Sequence, residues 1–274
     1  MRDVTEPARK AAATYNAAAD HFDDEPLAFW DRYGRRTVER LALPPGARVL
    51  DAGCGSGASA IPAAERVGPC GNVIGVDVAE RLLAIARRKA AERGLRNVEF
   101  RHGDMRQLSY PDAYFDAVLC VFAVFFAADM AAQARELWRM VRPGGQLAVT
   151  TWGPRLFEPA SSGWRASVRA LRPDLYSALN PWDRITEPEA LRELLSEAGV
   201  PEAEITKESG SQELRSPEDW WHVALGSGYR WTIEQMGPKV AAKARQMNLD
   251  WIRTHRIEAI ETSVLFAVAR KPNP

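Results

Sequence analysis

Residues 48–60, RVLDAGCGSGASA, constrain the fold more than any other stretch of this chain. An apolar strand ends here at Asp51, and Gly53 and Gly55 then let the backbone turn sharply into a helix of small residues. A strand, glycine turn and helix in this order are typical of the first unit of a doubly wound α/β sheet. In such sheets the turn holds a nucleotide-like ligand.

The alternation of strands and helices continues from residue 47 to about 152. Apolar segments ending at Asp77 and Asp104 are separated by amphipathic helices such as ERLLAIARRKAAERG. This order predicts a mostly parallel sheet covered by helices on both faces. The last apolar segment, ETSVLFAVARK, predicts a strand that returns to the sheet. A capping box, Thr186-x-x-Glu189, predicts the start of a later helix.

The alternation also divides the chain. Residues 46–152 form the predicted ligand-binding core, and residues 153–274 contain a helix and the strands that complete the sheet. Two stretches, 153–185 and 215–256, interrupt the regular pattern. Seven of the nine tryptophans lie at or beyond the end of the last core strand. We therefore predict that the two stretches form a helical, tryptophan-rich lid over the carboxyl edge of the sheet.

Composition argues against several classes of protein. The chain of 274 residues has 36 basic and 36 acidic residues, so no excess positive charge favours a nucleic acid partner. Three scattered cysteines fit neither a disulfide framework nor a metal site, and we predict no metal. The N-terminus lacks the apolar core of a signal peptide, and the longest apolar run, residues 117–128, is too short to span a membrane. These features predict a cytoplasmic protein without membrane partners, and leave its oligomeric state open.

The acidic strand ends distinguish between two ligands, because the glycine turn also satisfies the dinucleotide pattern. Asp51 lies two residues before Gly53, where a pyrophosphate would meet a like charge in a partly desolvated cleft. S-adenosylmethionine (SAM) carries an ammonium and a sulfonium instead, so it suits this turn better. Asp77 can accept hydrogen bonds from both ribose hydroxyls, and Asp104 can accept one from the adenine amino group.

The motifs VLDAGCGSG, GVD, GDM and FDAV…RPGG together resemble the class I SAM-dependent methyltransferases. The resemblance is to the small-molecule group that includes ubiquinone and menaquinone biosynthesis enzymes, and it covers about residues 10–152 and the terminal strand. It implies a Rossmann-like, mostly parallel, doubly wound sheet of seven strands, with SAM as the cofactor. It also implies methyl transfer to a small, aromatic or apolar metabolite.

The resemblance implies which residues bind the cofactor. In the core these are Asp51, Gly53, Cys54, Gly55, Asp77, Val78, Asp104, Met105, Cys120 and Val121. Residues 1–45 resemble the helical flap that closes over the cofactor in this family. Tyr15, Phe22 and Trp30 are the side chains expected to close it.

The acceptor is predicted only by class. Aromatic residues of the lid and after the fourth strand favour a flat or apolar small molecule over a polymer. The predicted substrate-binding residues are Phe125, Phe126, Trp152, Trp220, Trp221 and Tyr229. The tryptophans are alternatively packing anchors of the core.

The chemistry at the acceptor stays open. No general base follows the fourth strand, so the acceptor atom (oxygen, nitrogen or carbon) is undecided. Either the acceptor arrives activated or a lid residue such as His222 or Tyr229 assists. Two alternatives to methyl transfer also stand. One is a SAM-binding enzyme of other chemistry, such as a cyclase or decarboxylase, and the other is a non-catalytic SAM-binding module.

Overall fold

The computed structural model describes residues 6–273, so residues 1–5 of the predicted flap and Pro274 lie outside the described residues. The strands are β1 (Arg48–Ala52), β2 (Asn72–Asp77), β3 (Val98–His102), β4 (Phe115–Val121), β5 (Val141–Trp152), β6 (Glu204–Glu208), β7 (Ser211–Glu213), β8 (Ala259–Glu261) and β9 (Val264–Arg270). The α-helices are α1 (Glu6–Ala18), α2 (Phe29–Glu39), α3 (Ala60–Val67), α4 (Glu80–Glu92), α5 (Met130–Met140), α6 (Ala160–Leu171), α7 (Pro188–Glu197), α8 (Pro217–Leu225) and α9 (Arg230–His255).

Seven strands form one sheet in the order β3-β2-β1-β4-β5-β9-β6. The first five are parallel, and β9 runs antiparallel to both of its neighbours. This sheet confirms the predicted fold class, including the return of the terminal strand. The chain moves outwards from β1 to β3 and then crosses back to β4. The carboxyl ends of β1 and β4 therefore flank the switch point, where ligands of open α/β sheets bind.

Burial on both faces of the sheet explains why the strand sequences are continuous apolar runs. Val49 and Leu50 in the central strand are both fully buried, and they belong to hydrophobic clusters on opposite faces of the sheet. A parallel strand with helices on both sides has no solvated face, so polar alternation is lost. The exception is Asp51, a fully buried carboxylate in the same strand.

Two local predictions need correction. The capping box at Thr186 is wrong, because the N-cap of α7 is Glu187 and its side chain makes no capping hydrogen bond. Pro188 occupies the first helical position, where the missing N–H costs nothing. The proline and glycines of RPGG, residues 142–145, predict a tight turn before the fifth strand, but the segment is an irregularity inside β5, and pairing with β4 resumes at Gln146.

The tryptophan-rich stretches are largely helical. Residues 153–185 contain α6, and residues 215–256 contain α8 and α9. The last of these bends at Gly237, which has a φ of +70°. Within residues 6–273, no helix combines the length and the hydrophobicity needed to cross a bilayer.

Three of the tryptophans predicted to contact the acceptor lie in the core. Trp220 is fully buried and its Nε1 donates to Asn248 Oδ1 at 3.0 Å. Trp221 is buried beside it, and Trp152 stacks on Phe122 with 4.0 Å between the ring centroids. These three rings therefore fit the alternative hypothesis, that the tryptophans pack in the core and do not contact the acceptor.

Replacement of Trp220 by alanine should lower the free energy of unfolding by about 3–5 kcal/mol, because it opens a large cavity and removes the donor to Asn248 Oδ1. Denaturant unfolding measures this loss. Trp231→Ala is the matched control, since this ring is only partly buried and its removal should cost much less. An unchanged stability of the Trp220 variant would contradict the core assignment.

Candidate functional site

A cavity with about 910 Å³ of empty space, including its open mouth, lies at the carboxyl ends of β1, β2 and β4. We call it the first cavity. Most of the residues predicted to bind the cofactor line it, and these are Tyr15, Trp30, Gly53, Cys54, Gly55, Asp77, Val78, Asp104, Met105 and Val121. Phe22 lines it as well and stacks on Trp30 with 5.2 Å between the ring centroids.

The floor of the first cavity is the glycine turn after β1. The backbone N–H groups of Gly53 and Cys54 donate to the carbonyl oxygen of Val76, at 2.8 and 3.1 Å. Gly53 has a φ of +81°, and a Cβ atom there would lie 2.4 Å from the Cβ of Ala123. Both the backbone conformation and the close approach of the chain after β4 therefore require glycine.

Asp77 holds this turn against the end of β2. Its Oδ2 accepts from the N–H of Gly55 at 2.8 Å, and its Oδ1 accepts from the N–H of Ala79 at 2.8 Å. Burial raises the pKa of the Asp77 carboxyl, against the opposing effect of these backbone donors. Val78 is a third backbone donor to this carboxylate, so three of its four lone-pair sites are engaged and it can still accept from a ligand hydroxyl.

Asp51 does not line the first cavity but lies beneath it. Its Oδ2 accepts from the hydroxyl of Ser59 at 2.7 Å, and Ser59 lines the cavity. The other oxygen, Oδ1, is buried and has no partner among the described residues. Burial raises the pKa of the Asp51 carboxyl to about 7. A buried acid with an unused oxygen suits a cationic ligand group nearby.

Two unpaired hydrogen-bond donors accompany that oxygen. Trp30 Nε1 and Ser56 Oγ are buried without a partner in the described part of the chain, and both residues line the first cavity. Buried polar atoms normally have a hydrogen-bond partner, so a group of unpaired polar atoms at one cavity indicates that a ligand supplies the partners. The methionyl end of SAM carries an ammonium and a carboxylate, which match the acceptor of Asp51 and these two donors. Sequence reasoning missed Ser56, because serine in a glycine turn also has a purely conformational explanation.

Asp104 forms an ion pair that was not predicted. Arg106 Nε donates to its Oδ1 at 2.9 Å and Arg106 Nη2 donates to its Oδ2 at 2.6 Å, so both oxygens already have partners. These contacts lower the pKa of the Asp104 carboxyl against the effect of its burial. Arg106 also lines the first cavity. Recognition of the adenine amino group by Asp104 stays a prediction, and it requires a lone pair not used by this ion pair.

The end of β4 differs from the prediction at one residue. Cys120 is fully buried inside the strand, where it pairs with Val149 and does not line the first cavity. Burial raises the pKa of its thiol, which makes the cysteine a core residue rather than a nucleophile. Val121 and Phe122 line the cavity in its place.

Phe122 is a second residue of the first cavity that sequence reasoning did not identify. It has a φ of +53°, although a bulky side chain disfavours this conformation. Its ring is stacked on Trp152 and meets Trp30 edge-on, with 5.5 Å between the ring centroids. Backbone strain of this kind persists where the surroundings enforce it, and it is concentrated at ligand sites. No sequence pattern indicates a left-handed phenylalanine.

A second cavity adjoins the first and has about 1680 Å³ of empty space, including its open mouth. Of the predicted acceptor residues, Phe125, Phe126 and Tyr229 line it. Further aromatic residues line it that were not predicted, namely Trp164, Tyr176, Trp182 and Trp231. Lys10 and Arg165 add two cationic groups to this apolar wall.

The two cavities share a wall. Ala11, Tyr15 and Phe126 line both of them, and the rings of Tyr15 and Phe126 meet edge-on with 5.7 Å between their centroids. Burial and the negative charge of Asp77 raise the pKa of the Tyr15 hydroxyl. Ala11, Tyr15 and Phe126 therefore form the wall between a ligand in the first cavity and the second cavity.

The structure does not bring His222 to either cavity. Its Nδ1 is instead 2.6 Å from Asp24 Oδ2, and its side chain is 44% exposed. The candidate base of the lid is thus on the surface, away from the two cavities.

Comparison with known proteins agrees with the geometry of the first cavity. Residues 49–145 match a protein family described as a methyltransferase domain. Nocamycin O-methyltransferase from Saccharothrix syringae is 34% identical over 84% of this chain and 87% of its own length. Aklanonic acid methyltransferase DauC from Streptomyces sp. (strain C5) is 31% identical over 81% of this chain and 92% of its own. Among solved structures, the (4+2)-cyclase SpnF superposes with a TM-score of 0.56 and is 28% identical, covering 89% of this chain and 81% of its own.

Replacement of Asp77 by alanine should weaken the binding of S-adenosylhomocysteine by about 1–3 kcal/mol, because charge-assisted hydrogen bonds to the ligand and the brace on the glycine turn are both lost. Isothermal titration calorimetry measures the change. Asp112→Ala, at a side chain that is 80% exposed, is the matched control. Normal binding by a folded Asp77 variant would place the cofactor elsewhere.

Asp51 should make stability depend on pH. Its folded pKa of about 7 lies above the value of about 3.9 for an unfolded chain, so the folded state binds the extra proton between these limits. The free energy of unfolding that comes from this group therefore falls as the pH rises from about 4 to 7. Asp51→Asn cannot titrate, so its stability relative to the parent should increase by on the order of 1–3 kcal/mol between pH 5 and pH 8. A difference that stays constant across this range would contradict the assignment.

Proposed function

This chain belongs to the SAM-dependent methyltransferases, and we propose that it transfers the methyl group of SAM to an apolar, aromatic small molecule bound in the second cavity. The observation that carries the proposal is the shared wall. A cavity lined by aromatic rings opens beside the cofactor site, and Ala11, Tyr15 and Phe126 line both cavities. Because the acceptor atom must meet the methyl carbon directly, transfer requires the acceptor to reach past this shared wall. Planar apolar molecules bind in such surroundings through aromatic contacts.

The residues of the first cavity fit SAM. The glycine turn and the unpaired donors Trp30 Nε1 and Ser56 Oγ would hold the methionyl end of SAM. Asp77 would hold the ribose, and Val78 and Met105 would contact the adenine. When bound, SAM supplies a sulfonium methyl group for in-line displacement. Phe122 and Trp30 then exclude water from the reacting atoms, because their rings close the apolar side of the cavity.

We propose oxygen as the acceptor atom. The supporting observation is that an O-methyltransferase is 34% identical to this chain over most of both proteins. Lys10 and Arg165 line the second cavity together with Asp174, and Arg165 already forms an ion pair with Glu158. Lys10 is therefore the positive charge that would lower the pKa of an acidic hydroxyl or carboxyl on the acceptor. An acceptor that ionises in this way needs no protein base, so alignment supplies most of the rate.

A cyclase of the same fold is the second candidate, because SpnF is 28% identical and the comparison covers 89% of this chain. Methyl-labelled SAM distinguishes the two. Transfer predicts label in an apolar product, with one S-adenosylhomocysteine formed per acceptor consumed. Loss of acceptor without label or S-adenosylhomocysteine would favour cyclisation, and SAM binding without either would favour a non-catalytic module.

We also propose a cytoplasmic location and a small molecule, not a nucleic acid, as the partner. The equal numbers of acidic and basic residues support the second point. The cysteines support the first, because Cys54, Cys70 and Cys120 are all free and Cys70 is exposed.

Replacement of Trp182 by alanine should raise the KM of the acceptor roughly 3–20-fold, because one aromatic wall of the second cavity is lost. Its ring contacts Phe125 edge-on at 5.7 Å between centroids, and it does not line the first cavity. Cofactor affinity should therefore stay unchanged. Trp251→Ala is the matched control, since that ring lines neither cavity. Equal KM values for the two variants would contradict the assignment of the acceptor site.

A further inference from the structure

A cluster of two histidines and an aspartate lies outside both cavities. His21 and Asp24 belong to the segment between α1 and α2, and His222 belongs to α8, 198 residues further along the chain than Asp24. Their side chains are between 29% and 44% exposed, so solvent reaches all three. The function derived above uses none of them.

The three side chains converge on one point. The Nδ1 atoms of His21 and His222 lie 2.8 and 2.6 Å from the same atom, Asp24 Oδ2. The imidazole rings meet edge-on with 5.3 Å between their centroids. One potential ligand atom from each residue lies within 4.8 Å of the other two.

We propose that His21, Asp24 and His222 form a binding site for a divalent transition-metal ion of the Zn²⁺ type. Two imidazoles with one carboxylate are a ligand set that Zn²⁺ accepts readily, whereas Mg²⁺ and Ca²⁺ prefer oxygen alone. Three protein ligands leave at least one coordination position, which solvent can fill because the cluster is partly exposed.

The observed spacing is close to what such an ion needs. Tetrahedral bonds of 2.0–2.1 Å separate neighbouring ligand atoms by about 3.3 Å. The two hydrogen-bonded distances to Asp24 are shorter than this by less than about 1 Å, so small side-chain rotations are enough to admit the ion. Metal binding replaces hydrogen bonds inside the cluster and requires no rearrangement of the backbone.

The backbone already holds the two parts of the site together. Gly226, at the end of α8, lies so close to the other segment that an added Cβ would be 2.8 Å from the carbonyl oxygen of His21. Arg215 and Glu25 form an ion pair between the same two regions, with 2.6 Å between Nη2 and Oε1. Because the folded chain brings the ligands together beforehand, binding pays little entropy for ordering.

A metal ion here would join the segment that follows α1 to α8. The ion would therefore stabilise the attachment of the N-terminal helices to the helices of the second half of the chain. Ligand binding to the folded state alone raises the apparent stability. The inference concerns a structural site and does not rest on the proposed function.

The test uses the full-length chain after removal of metals with a chelator. Titration with ZnCl₂ by calorimetry should give one ion per chain, and CoCl₂ should produce a visible ligand-field spectrum. His222→Ala and Asp24→Asn should each weaken Zn²⁺ binding by at least about tenfold. The matched control is His255→Ala, since His255 stacks on Trp251 and lies outside the cluster.

Thermal melting with and without Zn²⁺ accompanies the titrations. The parent should melt at a higher temperature with Zn²⁺, and the two cluster variants should lose this increase while melting normally in chelator. Absence of Zn²⁺ binding by the folded parent would show a hydrogen-bonded cluster only and would overturn the inference. Retention of binding in both variants would also overturn it. Binding of S-adenosylhomocysteine, measured on the same samples, reports separately on the cofactor site.

Discussion

The brace between β1 and β2 is the interaction on which the site depends. Asp77 accepts hydrogen bonds from Gly55 and Ala79, and the turn donates back to the carbonyl oxygen of Val76. These contacts fix the glycine turn against the neighbouring strand, so the first cavity has a rigid floor without a ligand. We propose that the same carboxylate also accepts from the ribose hydroxyls, so that one residue would serve both the architecture and recognition.

The fold and the floor of the first cavity were predictable because their signals are local. Strand, acid and glycine turn occupy adjacent positions, and the alternation of strands and helices determines the sheet order by simple connection rules. The tryptophans were less predictable. Trp220 is held by Asn248, and Trp152 by Phe122, so their burial depends on contacts between distant segments. The contact between His222 and Asp24 was unpredictable for the same reason, because it also joins distant segments.

The two cavities differ in how the sequence encodes them. The first cavity is built from backbone N–H groups and from acidic residues at strand ends, and a local motif of strand, acid and glycine turn is enough to provide both. The second is lined by side chains of α1, α6 and the segment around residues 174–182, together with Tyr229 near the start of α9. These elements lie outside the alternating core, where loops and short helices vary without disturbing the sheet. On the proposed function, cofactor recognition is a property of the scaffold, and acceptor choice is a property of the added helices.

The buried acids give the first cavity an electrostatic cost that its cofactor relieves. Asp51 and Asp77 both have carboxyl pKa values raised mainly by burial. The charge of Asp77 raises the pKa of Asp51 further, whereas backbone donors oppose the rise at Asp77. A sheet optimised for stability alone would place an apolar residue at Asp51, as it does at Leu50. On the proposed function, a ligand with an ammonium group in the first cavity would offset the negative charge beneath it, and we propose that it reaches the unused Oδ1. The position that destabilises the empty fold would then be the one that favours a cationic ligand over a pyrophosphate.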